Sequence, residues 1–496
     1  MKTVTVKVEK SDTNIAKDRQ LTYRLVRAAL NAGEVDDDIA DLVIDRLIDS
    51  VAVAIASLTT EPVARAMAAA KAHPRPGGAT LLGLTPDVTV HAEWAAYANC
   101  SAVRHLDWSD AFGGRDYSHP SDVSATMISA AQQTGRTGRD VIRGIAHGYQ
   151  AMLALVNGIG LHEYGVDQMC NLGTAVPVGL SAMLELPVDV AYEAVQLSSF
   201  LSTITFQMRT GFISTWKANA PGFIGKTAIE AVDRAMRGEQ SPTPVYEGPF
   251  GTIATLLGGA DSQFHIEILE PGESPRYMNQ SIPKQWAADY LAQPFMDLAF
   301  EIRSQITDLT AIESIVVTGS EGMHVVVGSS DPLKYDPDAP RGTIDHSLPY
   351  MLAAALEDGS WDFDKSFSSE RIHRQSTVEL WRKIRTQADP KWTKAYSSSN
   401  LATRRFGGEM TITMKDGTST SYTKDNANAF IYPTPWGRAD YVDKFMTVAD
   451  RYLDDGESAR FLDTVQKLPG LTTEELRGLF PVVKTGVIPE GGHGVF

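Results

Sequence analysis

The apolar positions of this chain change their rhythm along its length. Ile39, Leu42, Val43, Leu47, Val51 and Ile55 recur at helical spacing behind the acidic run Asp36–Asp38. That arrangement predicts a helix whose positive end is met by negative charge. The same period returns over 122–133, 139–157, 174–185, 188–204 and 219–237, and the Ala-rich stretches 63–72 and 91–103 favour helix by propensity. Residues 1–35 are polar and weakly patterned and read as an arm.

Near residue 272 the character shifts. Pro271, Gly272 and Pro275 mark a boundary. A helix-like stretch over 286–302 precedes two β-branched runs, 312–319 and 323–328, which read as strands. Segments 346–356 and 376–387 look helical. Residues 410–423 alternate on both sides of Lys415-Asp416-Gly417, a hairpin signal. Helical spacing resumes over 438–454, 457–467 and 472–479. The expected fold is mainly α with an inserted α+β domain: 1–272 all-helical, 273–435 the α+β insertion, and 436–496 helices returning to the first block.

Composition narrows the function. With 43% hydrophobic and 21% charged residues over 496 positions, the chain can bury a large core. Lys and Arg number 45 against 61 Asp and Glu, a net charge of −16. A general nucleic-acid binder is excluded, because phosphate affinity needs a basic face. An anionic substrate would need a local basic pocket working against the global field. Two cysteines, Cys100 and Cys170, make no disulfide framework and cannot supply the usual thiolates of an iron–sulfur cluster. Residues 1–20 have no apolar core of a signal peptide, and no run approaches the ~18 apolar residues of a membrane span. The expectation is a cytoplasmic protein with neither nucleic acid nor membrane as partner.

Three polar segments could carry chemistry. Arg104 to Asp122 places Asp107, Asp110, His119 and Asp122 on one short connection, with Gly113-Gly114 permitting a sharp bend. It reads equally as a polar loop with a capping residue. Arg209 to Gly222 holds Arg209 and Lys217 among hydroxyls. Arg forks match carboxylates, while Lys is a compact donor; both also occur as ordinary solvated cations. In Arg341 to Tyr350, His346 and Tyr350 stand four apart, sharing a face if helical, and Tyr350 could equally be a core residue. A metal is not expected: no second His lies at i+4 on a helix, and the spacing matches no named ligand motif. Phosphate-loop, Rossmann and nucleophile-elbow patterns are missing. The histidines outside these segments, His162 among them, have no cluster to lift them above structural roles.

Together, Asp107…His119-Pro120-Ser121, Ser214-Thr215-Trp216-Lys217 and Asp345-His346-Ser347-Leu348-Pro349-Tyr350 resemble the MmgE/PrpD family, in the family's order and over roughly 40–450. The resemblance implies a helical domain built from both chain ends, a smaller inserted α+β domain and a homodimer. It implies catalysis without cofactor or iron–sulfur cluster. The implied reaction is dehydration of a small tricarboxylate, 2-methylcitrate to 2-methyl-cis-aconitate, in propionate catabolism. The family's catalytic positions fall on Asp107, His119, Lys217 and Tyr350, with Arg209, Lys217, His346 and Arg341 as substrate-binding residues. Decarboxylase relatives carry a His where this chain has Asp167, and another after a Pro where it has Lys284-Gln285. That favours dehydration over cis-aconitate decarboxylation and leaves one site position unassigned. A non-enzymatic helical scaffold is the alternative of another class, and it requires the three segments to lie apart.

Overall fold

The computed structural model describes residues 1–10, 15–398 and 400–495. Helices dominate, and their buried apolar stripes form one large hydrophobic cluster. It draws on Val4–Ala287 and, from the far end of the chain, on Tyr441, Phe445, Val448, Phe461 and Leu476. Asp37–Ser57 and Arg438–Tyr452 pack against each other. Their contact is polar at its centre: Lys444 Nζ meets Asp49 at 2.6 Å, both side chains buried. Such a pair survives burial only if its remaining hydrogen-bonding capacity is used. Lys444 uses its capacity on the carbonyls of Trp108 (2.7 Å) and Lys284 (2.9 Å), two segments that frame the site.

A second cluster gathers Ile282–Phe430 around a four-stranded sheet. Its strand order is Ser419–Lys424, Gly408–Met414, Ile312–Gly319, Ile384–Ala388. The first two strands form the hairpin expected at Lys415-Asp416-Gly417, Gly417 supplying the positive φ of 87° that its turn requires. Ile312–Gly319 and Ile384–Ala388 pair in parallel, and helices fill the crossover between them.

Several local expectations are corrected. Residues 1–35 are not an unstructured arm. Lys2–Lys7 is a strand pairing antiparallel with Gln263–Ile268, and Leu21–Leu30 is a helix. The short alternation Val4, Val6 was present but too brief to stand out; its partner lies some 260 residues away. Residues 323–328 do not form a strand. Ser320 accepts a hydrogen bond from the Met323 N–H and starts a helix, Glu321–Val326, so the cap overrode β-propensity. The expected helix at 376–387 ends at Trp381 and yields to the strand Ile384–Ala388.

The C-terminal return is tight enough to test. Gly138 opens the helix Gly138–Gly158 and donates its N–H to the Leu471 carbonyl at 2.9 Å. A Cβ there would fall 1.7 Å from the Leu468 carbonyl oxygen. Gly138→Ala should therefore cost about 1–3 kcal/mol, as overpacking does. Urea unfolding monitored by circular dichroism checks this, and an unchanged midpoint refutes it.

Candidate active site

The segment after the helix Ala92–Arg104 is folded by its own side chains. Asp107 adopts φ +52°, a left-handed conformation that Asp tolerates better than most residues. Asp110 closes the loop, accepting from the Ser121 N–H (3.0 Å) and the Tyr149 hydroxyl (3.1 Å). Phe112–Gly113 and Tyr117–Ser118 form a small antiparallel ribbon. Ala111 and Ile282 exchange both backbone hydrogen bonds, at 2.8 and 2.7 Å, which joins this loop to the segment carrying Lys284.

Asp107 is the hub. Its carboxylate is buried and accepts from Arg104 (2.8 Å), Lys217 (3.0 Å) and Lys284 (2.7 Å), and Lys284 also donates to its carbonyl. Burial alone would push the Asp107 carboxyl up, but Arg104, Lys217 and Lys284 outweigh it and hold it well below the usual carboxylate range. Lys217 sits in the first turn of the helix Trp216–Met236 and lies 3.3 Å from both ring nitrogens of His346. His346 in turn contacts Asp345 through Nδ1 at 2.5 Å. The three segments thus converge, contrary to the scaffold alternative.

His119 has a defined tautomer. Its Nδ1 lies 3.1 Å from the Asp110 carbonyl, which can only accept, so Nδ1 carries the proton and Nε2 keeps its lone pair. Burial, aided by the Arg104 charge, lowers its pKa well below the ordinary histidine value. The ring is therefore neutral at physiological pH. Nε2 stands 3.8 Å from Asp107 Oδ1. Asp122 is buried too: its oxygens accept no hydrogen bond among the described residues, Arg104 Nε lies 3.9 Å from Oδ2, and burial pushes its carboxyl up to about 7.

A cavity of about 510 Å³ opens here, lined by Arg104, His119, His162, Arg209, Lys334 and His346 among others. Arg209 forms a two-pronged pair with Asp167, at 2.5 and 3.2 Å, which occupies most of its fork. Ligand atoms of Asp107, Asp289 and His346 lie within 4.8 Å of one another. They do not suit a divalent cation, because the Lys217 ammonium already sits 3.0 Å from Asp107 Oδ2 and 3.3 Å from His346.

Two expected residues are placed elsewhere. Tyr350 is buried in the second cluster, and its hydroxyl donates to the Ser366 carbonyl, so it is not poised to protonate a ligand in the cavity. The helix Leu348–Asp358 turns its face into the core, where four-residue spacing from His346 had suggested a shared site face. Arg341 is also outside the cavity wall: it lies over the Phe367 ring at 3.6 Å and donates to the Phe363 carbonyl.

Other residues were missed. Spacing along the chain gives neither Lys284 nor Arg104 a role of its own. His162, which has no cluster around it in sequence, lines the cavity, pairs with Asp116 and packs at 4.2 Å against the tilted Tyr117 ring. This imidazole stands apart from the two decarboxylase positions, which are Asp167 and Lys284-Gln285 here. Tyr290 lines the cavity with a buried hydroxyl that makes no hydrogen bond among the described residues. Arg104 opens the polar segment that ends at Asp122, and the Pro283-Lys284 sequence hints at Lys284, but His162 and Tyr290 belong to no local cluster.

The MmgE/PrpD N-terminal domain model matches residues 26–265, and the MmgE/PrpD C-terminal domain model matches 286–469. The chain belongs to the MmgE/PrpD family. Among its relatives, the mitochondrial 2-methylcitrate dehydratase of Yarrowia lipolytica is 24% identical over 337 residues, covering 64% of this chain and 62% of the relative. The 2-methylcitrate dehydratase of Salmonella typhi is 24% identical over 65% of this chain and 68% of its own. A 2-methylcitrate dehydratase-like protein, oryR, from Aspergillus oryzae is 26% identical over 75% of this chain and 77% of its own. The alignment thus spans less than two thirds of the Yarrowia lipolytica relative.

Two outcomes follow for this MmgE/PrpD site. Asp107→Asn keeps the shape but leaves three buried cations facing a neutral amide, so stability should fall by about 3–5 kcal/mol. A urea midpoint equal to wild type would remove Asp107 as the hub. His119 has a folded pKa below its unfolded value of about 6.5. Between the two values the unfolded state binds the extra proton, so this contribution is full above 6.5 and is lost as pH falls. His119→Gln should flatten the stability profile below pH 6.5 by up to about 1.4 kcal/mol per pH unit. His105 and His147, lowered to about 4 by burial, should keep their share. An unaltered slope in the variant contradicts the neutral-His119 assignment.

Proposed function

We propose that this protein is a hydro-lyase acting on a 3-hydroxy tricarboxylate of the 2-methylcitrate type, without a metal cluster. The observation that carries this reading is the His119 ring, neutral and locked in the tautomer that leaves Nε2 unprotonated, in the wall of a cavity edged with cations. Dehydration requires removal of a weakly acidic proton next to a carboxylate and protonation of the departing hydroxyl. His119 Nε2 takes the carbon proton. Arg104, Arg209 and Lys334 face the substrate carboxylates and steady the enediolate charge as it grows. Tyr350 is not available as the acid, so Lys217, reached through cavity-lining His346, supplies the proton to the leaving oxygen. Water is lost, and the proton taken by His119 balances the one given by Lys217. Family membership and the relatives' names support the reaction class. A cytoplasmic homodimer in propionate catabolism remains part of the proposal.

A second reading, decarboxylation of cis-aconitate, is favoured by one feature, the His162 imidazole at the cavity wall. It could protonate the carbon left behind by CO₂. The Asp167 carboxylate, committed to Arg209, offers no such proton.

Purified protein given 2-methylcitrate should release water to form 2-methyl-cis-aconitate, followed by the absorbance of the new double bond. EDTA should leave the rate unchanged. His119→Ala should lower kcat by about 10²–10⁴-fold, the usual worth of a positioned general base. CO₂ release from cis-aconitate with 2-methylcitrate untouched would replace this reading with the second.

A further inference from the structure

The cavity is larger and more apolar than a tricarboxylate with one methyl group requires. Its charged groups are partly committed: Arg209 to Asp167 and Arg115 to Glu163, the latter at 3.1 Å. Lys334 is the cavity-lining lysine; among the described residues no carboxylate lies within ion-pair distance of it, although Asp331 and Asp345 are near enough for their charges to act on it. Much of the remaining wall is hydrocarbon. Phe406 meets Tyr290 and Tyr396 edge-on, at 5.0 and 5.4 Å between ring centroids. The Phe406 ring lies against Gly113, where even a Cβ would approach it to 3.1 Å, and the Tyr396 ring comes within 3.6 Å of a Cβ built at Gly322. An aromatic wall therefore runs from the loop that holds His119 to the helix Glu321–Val326. That helix adds Val325 and Val326 to the lining, and Val325 is 55% exposed, unusually high for so apolar a side chain.

About 510 Å³ is the size of cleft that takes a drug-sized ligand and covers most of its surface. Tyr290 and Phe406 are already buried, so the part of the wall left facing water is Tyr396, Val325 and Val326, and it gains by covering itself with hydrocarbon. The polar groups this wall offers are the Tyr290 and Tyr396 hydroxyls, and the cations named above belong to other residues of the lining. The substrate part that fits the wall is thus an alkyl chain, attached to the acidic head held near Arg104 and His119.

We infer that the substrate is a citrate bearing an alkyl substituent several carbons longer than methyl, its chain lying along Tyr290, Phe406 and Tyr396 toward Val325 and Val326. The inference rests on the hydro-lyase reading above and names its substrate class. Each buried methylene should raise kcat/KM roughly fourfold until the wall is covered.

The test compares kcat/KM for 2-methylcitrate and for the homologue with a linear hexyl group in place of the methyl. The hexyl compound should be better by at least about tenfold, on the same per-methylene scale. Val326→Phe, which narrows the apolar end, should lower the hexyl-to-methyl ratio by at least about tenfold. Turnover of 2-methylcitrate with an equal or poorer hexyl rate would overturn the inference and leave the hydro-lyase reading standing. A ratio unmoved by Val326→Phe would overturn the placement of the chain. Dehydration of neither compound would bring down the hydro-lyase reading and this inference with it.

Discussion

One buried carboxylate holds the site together. Asp107 lies out of water among Arg104, Lys217 and Lys284, and each partner comes from a different part of the chain. An isolated buried ion would be costly enough to neutralise itself. Here each charge makes burial of the others tolerable, so the cluster forms only when all its segments arrive. Lys444 extends the constraint: it ties Trp108 and Lys284 through their carbonyls and pairs with Asp49 on the helix Asp37–Ser57. The returning C-terminal helix is therefore part of what shapes a site whose cavity-lining residues it does not supply.

The same arrangement separates the protonation states of neighbouring groups. The surrounding cations that keep Asp107 ionised also oppose a proton on His119. Asp345 beside Lys217 and His346 stays ionised, while burial outweighs the nearby Arg104 charge and pushes Asp122 up to about 7. Groups whose environments drive them apart in this way can serve as base and acid at one pH. The single hydrogen bond between His119 Nδ1 and the Asp110 carbonyl then decides which nitrogen carries the proton.

Much of the architecture was legible. The helical period located most helices of the first block, and Lys415-Asp416-Gly417 located its hairpin. The errors share a cause. The Lys2–Lys7 strand, the Glu321–Val326 helix and the Ile384–Ala388 strand are short, and a short segment takes its state from a cap or a distant partner. Tyr350 failed for a related reason. Four-residue spacing says that two side chains share a face; it does not say whether that face meets a cavity or a core.

The sequence by itself determined the helical/α+β/helical order, the acidic balance and the three polar segments in which Asp107, His119, Arg209, Lys217 and His346 stand. These are properties of residue type and of spacings under about ten positions, which local periodicity and turn chemistry encode. The tertiary structure alone decided that Lys284 reaches Asp107 across 177 positions and Lys217 across 110, that Asp167 occupies Arg209, that His162 joins the cavity while Tyr350 and Arg341 leave it, and that an aromatic wall stands opposite the charged groups. Such pairings depend on how helices stack in three dimensions, and nothing in the spacing of residues along a chain specifies which distant charge will be buried beside which.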